Sequence, residues 1–300
     1  MTAISTSAFY LRANRDISAL RARAEALQAS VGSGQRLARS SDDPLAASQL
    51  RTLARAERFA AIDTTVAAPA LSDLTLTDGA LQSFASYVTR IQELAVQAAN
   101  GVLAPIQRKS IATELEQLRS ELIGLANTRD SADHALFGGE TAGPAYTLDA
   151  AGNPVYAGTA SAGELPLGDG QTVTRGLTGP EFLSFAGTDL FAVVRTLSDA
   201  LRGVAPDPAQ AARDALGGLD AGLDAITTQQ TVVGARIGWI ELATERRTAM
   251  SELRSEDQAD LGGTDLTEAV MQLQQTMTVL EASQASFARL ASLSLFSVLG

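Results

Sequence analysis

Cysteine is absent from the 300 residues, and histidine, lysine and tryptophan occur once each, as His134, Lys109 and Trp239. Without thiols the chain has no disulfide and no thiolate metal site. One histidine leaves no partner for a histidine-based triad or a multi-histidine metal site. Aromatic residues make only 5% of the chain, so bulky core-fillers are scarce. No apolar run approaches the ~18 residues of a membrane span. Met1–Asn14 lacks the basic start and apolar stretch of a cleavable secretory signal. The chain is therefore expected not to insert into a membrane, and either to stay in the cytoplasm or to leave the cell by a route that reads no such signal.

What the chain has in quantity is alanine, 54 residues of it. Alanine is the strongest helix former and adds little volume. With 45% apolar and 19% charged residues, the composition is that of a folded chain rather than a disordered one. It favours long, thin helical packing over a broad core. Length alone allows about two domains at roughly 150 residues each. The net charge of −11 argues against a nucleic-acid partner, because the 22 arginines and Lys109 form no basic block.

Heptads occupy most of the remaining pattern. Tyr10, Ala13, Ile17, Leu20, Ala24, Leu27 and Val31 alternate spacings of three and four, an a/d seam that Gly32-Ser33-Gly34 interrupts. Ser40-Ser41-Asp42-Asp43-Pro44 then places cap-type side chains before a proline, which predicts a helix starting at Pro44. Pro69 is expected to kink or interrupt that helix. The seam resumes as Leu81, Phe84, Val88, Ile91, Ala95, Ala98 and Val102, with a stop at Asn100-Gly101. After the short link Ala104-Pro105 come Ile111, Leu115, Leu118, Leu122 and Leu125, and so short a link predicts antiparallel packing.

Residues 137–187 break the pattern: they hold four of the nine prolines, many glycines and no helical stripe. Ala145–Leu148 and Pro154–Ala157, split by Asp149-Ala150-Ala151-Gly152-Asn153, read as a hairpin, and Gln171–Thr174 as a further strand. Helix is expected again from Thr188-Asp189, with a turn at Pro206 and Pro208. A long stripe follows through Ala212, Leu216, Leu219, Leu223, Ile226, Gln230, Val233, Ile237, Ile240 and Thr244. That stripe alone spans roughly 50 Å at 1.5 Å per residue. Gly262-Gly263 ends it, and the last seam is Leu266, Val270, Leu273, Met277, Leu280, Gln284, Phe287, Ala291 and Ser294. The expected fold is mainly α: an elongated helical coiled-coil rod built from both chain ends, with a small β-rich insert in the middle.

Several residues invite a sharper reading. Asp42-Asp43-Pro44 has no histidine or cysteine nearby and is taken as a helix cap and turn. His134 beside Asp133 reads as a surface turn histidine. Glu252, Glu256, Asp257 and Asp260 lack calcium-loop spacing and read as a solvated helix face. Arg246, Arg247 and Arg254 read as ion-pair partners on a helix surface. Trp239 is placed in the core, with a subunit contact as the alternative. No phosphate loop, nucleophile elbow or zinc-binding helix motif occurs, so no catalytic residue, cofactor site or metal site is assigned.

Four stretches carry a family resemblance. Ser33-Gly34-Gln35-Arg36-Leu37 with Ser41-Asp42-Asp43-Pro44, then Leu76–Leu81, then Glu93–Gly101, and the apolar ending Leu293–Leu299 resemble the flagellin superfamily from end to end. Leu136-Phe137-Gly138-Gly139 followed by Gly152, Tyr156-Ala157-Gly158, and Val233-Gly234-Ala235-Arg236-Ile237 are more similar to its hook–filament junction branch. The resemblance implies a structural, non-enzymatic subunit of the bacterial flagellum that joins hook to filament. It would be exported unfolded through the flagellar type III apparatus and would carry its middle domain outward. Implied partners are copies of itself in a ring, a hook-side hook-associated protein, flagellin, and a cytoplasmic export chaperone at the C-terminal helix. A short flagellin forming the filament itself stays open as an alternative. A secreted helical adhesin or translocator, and an enzyme with a site in the β insert, are remoter ones.

On this reading residues 1–43 are an N-terminal assembly helix, 44–136 and 188–261 the two halves of the rod, 137–187 the outer β-rich domain and 262–300 a C-terminal assembly helix. The residues expected to carry assembly are Tyr10, Ile17, Leu20 and Leu27 at one end and Leu266, Val270, Leu273, Met277, Leu280 and Phe287 at the other, with Asp42, Asp43 and Pro44 as the family motif. Both seams are diluted by small or polar residues, and isolated helices shorter than roughly 12–15 residues are marginal. The ends are therefore expected to stay largely disordered in a free monomer and to order when neighbours complete the seam.

Overall fold

The computed structural model describes the backbone of residues 6–168 and 170–299 and the side chains of 8–168 and 170–290. Three helices come first: α1 (Thr6–Ser33), α2 (Pro44–Ala99) and α3 (Pro105–Ala126). The insert follows with β1 (Tyr146–Leu148), β2 (Pro154–Tyr156), β3 (Glu164–Gly168), β4 (Gln171–Thr174), α4 (Pro180–Leu183), β5 (Ser184–Phe185) and β6 (Thr188–Asp189). Then α5 (Leu190–Asp199) runs into a π-helical turn (Ala200–Val204), and α6 (Pro208–Gly262) and α7 (Leu266–Leu299) complete the chain. Two compact units emerge: Met1–Arg58 with Ala249–Gly300, and Phe59–Thr248. Helices α2 and α6 each contribute residues to both.

Local chemistry sets the helix starts. Asp43 Oδ1 accepts the Ala46 N–H at 3.0 Å, just ahead of the proline that opens α2. Asp189 Oδ1 accepts from Ala192 N at 2.9 Å, Asp207 Oδ1 from Ala209 N and Gln210 N at 3.0 Å each, and Asp265 Oδ1 from Thr267 N at 2.9 Å. Each aspartate satisfies an N–H that has no acceptor inside its helix. Thr188-Asp189 is thus not the first turn of a helix: it pairs with Ser184–Phe185 as an extended hairpin edge, and the helix begins at Leu190.

Pro69 neither ends nor splits its helix, for α2 continues over all 56 residues with the proline inside. A mid-helix proline costs about 3 kcal/mol through its missing N–H and its clash with the preceding turn. Ala67, Ala70 and Leu74 are buried on either side of it, so packing against the core holds the backbone helical across the defect.

The unit Phe59–Thr248 carries the hydrophobic core. The Arg90 guanidinium reaches Glu114 at 2.7 Å. Arg90 and Glu114 lie about equally far from the turn that joins α2 to α3, so α3 folds back antiparallel, as the short link requires. Along α6 the stripe alternates between fully buried positions (Ala212, Leu219, Ile226, Val233, Ile240) and half-buried ones. Trp239 departs from expectation: it is 42% exposed, because its stripe neighbours Ile237 and Ile240 take the inward face.

The insert has no continuous sheet. Among the described residues it is three separate two-stranded hairpins. The first has Tyr146 opposite Tyr156 and Leu148 opposite Pro154, the pairing that the turn signals imply. The Gln171–Thr174 strand is present and pairs with β3, which the sequence pattern did not mark. Phe84 on α2, Phe137 at the entry and Phe182 on α4 meet with ring centroids 5.0–6.0 Å apart and pin the insert to the helices. Asn127, capping the end of α3, exchanges a pair of hydrogen bonds with the Tyr146 backbone at 2.9 and 3.1 Å. Arg119, almost fully buried, bonds Glu116 at 2.7 Å and the Gly152 carbonyl at 2.8 Å, holding the β1–β2 turn. Burial raises the Tyr146 hydroxyl well above its ordinary pKa, so the ring stays neutral.

Candidate assembly surface

The unit Met1–Arg58 with Ala249–Gly300 has a different interior. Its buried described side chains are Ala24, Ala46, Ala47, Ala269, Thr276 and Leu280. A fully buried leucine contributes about 1.5–3 kcal/mol, and an alanine far less. One leucine among four alanines and a threonine makes a thin core for helices of 28 and 34 residues.

Helices α1 and α7 pack on each other antiparallel. Tyr10 meets Phe287 edge to face at 5.5 Å, while Leu27 and Ser30 lie beside Asp265, Ala269 and Gln272 at the opposite end of the pair. Helices α1 and α7 are thus ordered against each other, which the expectation of open ends did not include. The pairing covers only part of the apolar material. Tyr10, Ile17, Leu20 and Leu27 are half-buried, as are Leu273 and Phe287. Leu280 is buried, whereas Leu266, Val270 and Met277 are exposed.

The geometry of α7 accounts for this split. Ala269, Leu273, Thr276, Leu280 and Phe287 form the face turned to α1, at heptad spacings. Val270 and Met277 lie one position round the helix from Ala269 and Thr276, while Leu266, in heptad register with Leu273, is exposed in the first turn of α7; Met271 and Val279 are exposed on other faces. Phe9 and Leu11 are exposed on α1. Hydrophobicity alone marked both stripes as one seam; the small residues Ala269 and Thr276 carried no such mark. The side chains of Ala291 and Ser294, and of the Leu293–Leu299 ending, lie outside the described residues.

The Ser33–Pro44 motif closes the unit at the α1–α2 turn. Gly34, with φ +70°, takes the left-handed conformation at the end of α1, and its N–H reaches the Ser30 carbonyl at 2.9 Å. Beyond it Gln35 bridges Gly263, Arg36 N bonds Gly262 O at 2.8 Å, and Thr264 N bonds Gly34 O at 3.0 Å. The Arg36 guanidinium spans the Leu261 carbonyl at 2.9 Å and Asp43 at 3.3 Å. Asp42 accepts from Arg39 N at 2.8 Å. Asp42-Asp43-Pro44 is therefore a cap and a clip between the α1–α2 and α6–α7 turns. The Ala46 N–H, with Arg36 beside it, holds the Asp43 carboxyl below the usual carboxylate range.

Elsewhere, Asp73, Asp130, His134 and Arg175 line a cleft in the other unit. His134 is an exposed turn residue 3.4 Å from Asp130. Burial, together with Asp130, raises the Asp73 pKa. Glu57 accepts from Ser251 at 2.5 Å and pairs loosely with Arg254 at 3.6 Å. Among the described residues no group of three or more His, Asp or Glu side chains is arranged to hold a metal ion, and no helix is long and apolar enough to cross a membrane.

The chain is similar to known proteins in sequence and in fold. Residues 4–142 match the family model of the bacterial flagellin N-terminal helical region. Flagellar hook-associated protein 3 of Escherichia coli is 26% identical, over 89% of this chain and 90% of its own. The flagellar filament 41 kDa core protein of Borreliella burgdorferi is 32% identical, over 41% of this chain and 36% of its own. The solved flagellar junction protein FlgL of Legionella pneumophila superimposes with a TM-score of 0.62 at 15% identity, covering 72% of this chain and all of that one. That last likeness is one of fold.

Proposed function

We propose that this chain, a relative of flagellar hook-associated protein 3 along most of its length, is a structural subunit of the bacterial flagellum that joins hook to filament. The observation that carries the reading is the contrast between the two units. One has a full core; the other pairs two long helices over alanines and leaves a stripe of leucine, valine and methionine in water. Exposed apolar stripes of this extent mark interaction surfaces. Neighbouring subunits would cover the stripe, and polymerisation would supply the burial that a lone chain lacks.

The partners that follow are copies of itself in a ring, a hook-side hook-associated protein and flagellin. A cytoplasmic chaperone covering the C-terminal helix before export suits the same exposed face. Export through the flagellar type III apparatus would place the chain at the junction outside the cell. The assembly residues remain those marked by the heptads, now divided between the α1–α7 contact and the outward stripe. The short-flagellin reading is less favoured, because likeness to the junction relative runs nearly end to end, whereas likeness to the filament protein covers well under half of either chain.

Immunogold labelling of isolated flagella tests the proposal. A single band at the distal end of the hook is the expected result, with loss of motility on gene deletion. Uniform labelling along the filament would return the chain to the flagellin reading.

A further inference from the structure

The four most exposed large apolar side chains described are Val102 (84%), Val204 (79%), Ile106 (75%) and Leu45 (71%). The first three converge. Val102 lies in the α2–α3 turn, Ile106 in the first turn of α3, and Val204 ends the π-helical turn before α6. Arg213 on α6 donates to the Ala99 carbonyl at 3.0 Å, and Gly101 lies against Ala209, so the two turns share one tip. The π-helical turn also packs on α3. Gly203, at φ +105°, breaks the helix there and leaves Val204 standing in solvent.

The charge of this tip runs against that of the molecule. Segments 100–109 and 202–213 carry Arg108, Lys109, Arg202 and Arg213 against one carboxylate, Asp207, in a chain of net charge −11. Among the described residues none of the four cations enters an ion pair. Asp207 is engaged with the first N–H groups of α6. The tip is a cationic knob studded with β-branched side chains.

Leu45, the fourth residue, belongs to a feature of opposite sign. With Leu53 and Leu261 it lines an open groove in the terminal unit, where Asp257 and Asp260 project as exposed carboxylates without ion-pair partners among the described residues. Arg51 and Arg55, on the same helix, do not line it. Leucines flanked by carboxylates match a knob of valine and isoleucine flanked by arginine and lysine.

We infer that the Val102–Ile106–Val204 tip of one copy docks in the Leu45–Leu53–Leu261 groove of a second copy, with Arg108, Lys109 and Arg202 facing Asp257 and Asp260. The two halves are different patches of the same chain, so the contact is head-to-tail. A head-to-tail contact whose rotation closes generates a ring, whereas a self-complementary patch stops at a dimer. The inference rests on the proposed function only in assuming that copies meet in a ring. It names contacts besides the terminal stripe.

The absence of native cysteine makes the test direct. Chains carrying Val204→Cys and Leu45→Cys are co-expressed, motile flagella are isolated, and the flagella are oxidised. A disulfide-linked dimer of the two different variants is expected. Arg108→Glu with Arg202→Glu in the Val204→Cys chain should abolish it, and Asp257→Arg with Asp260→Arg in the other chain should restore it. In unmodified flagella a carbodiimide should couple Lys109, the chain's one lysine, to Asp257 or Asp260 of a neighbouring copy. Dimers of Val204→Cys with itself, Lys109 coupled to a different protein, or no link in fully assembled flagella would each overturn the contact. Immunogold placement is read separately. A chain found along the filament sinks the proposed function, while a missing link at a correctly placed junction sinks only this contact.

Discussion

At the scale of single residues, side chains that fix the ends and contacts of elements offer the clearest tests. Phe182 fills the centre of the aromatic contact that holds the insert to α2. Phe182→Ala should cost the unit Phe59–Thr248 about 3–5 kcal/mol, read from denaturant or thermal unfolding. Asp43 tests linkage. Its folded pKa is depressed, chiefly by the Ala46 N–H, so its contribution is present above the ordinary carboxylate range and lost as pH falls through it, below about pH 4. Amide exchange at the start of α2 should accelerate over that window. Asp43→Asn keeps an N-cap and should remove the pH dependence; an unchanged profile in the variant would assign it to another group. The capping role was readable from Ser-Asp-Asp-Pro alone, because capping is local. The Arg36 bridge to Leu261 was not, since its acceptor lies 225 positions away.

At the scale of elements, helix existence and termination followed from caps, glycines and heptads, and most boundaries agree with them. Thr188-Asp189, a strand edge ahead of α5, is one exception; Pro69 is the other, and it reports how much packing outweighs propensity. Pro69→Ala should raise the stability of the core unit by up to about 3 kcal/mol, with unchanged helix content by circular dichroism. No gain would mean that the surrounding turn is already adapted to proline. The strand β3 escaped notice because Glu164–Gly168 contains both a proline and a bulge before Gly168, and neither reads as strand. The pairing face of α7 was legible only in part: Leu273, Leu280 and Phe287 belong to the heptad seam, but Ala269 and Thr276, which face α1 beside them, are quieter in a sequence than the leucine and valine left outside. Truncating 266–300 should leave Phe59–Thr248 folded and the protein soluble but unable to assemble. Loss of cooperative melting throughout would contradict the division into two units.

At the scale of the whole molecule, stability is unevenly divided. The aromatic and branched residues that the chain possesses are concentrated in one unit, and the other is closed largely on alanine. Hydrogen exchange on the free protein should therefore show a steep difference. Slow exchange is expected in α3, α5 and the Phe84–Ile91 part of α2, and markedly faster exchange through α1 and α7, whose pairing buries little. On incorporation into flagella the latter should become protected. Equal protection of both units in dilute monomer would remove the physical reason for assembly through the chain ends.

Composition, capping residues and period were enough to establish a mainly helical chain with an interrupting strand-containing segment and two apolar terminal seams, because those signals are local and periodic. Which face of each seam turns inward, which stays in water, and how two distant turns come to form one charged tip depended on contacts between residues far apart in sequence. Such contacts are settled by volume and charge in three dimensions, where a buried alanine outranks an exposed leucine and no periodicity records the difference.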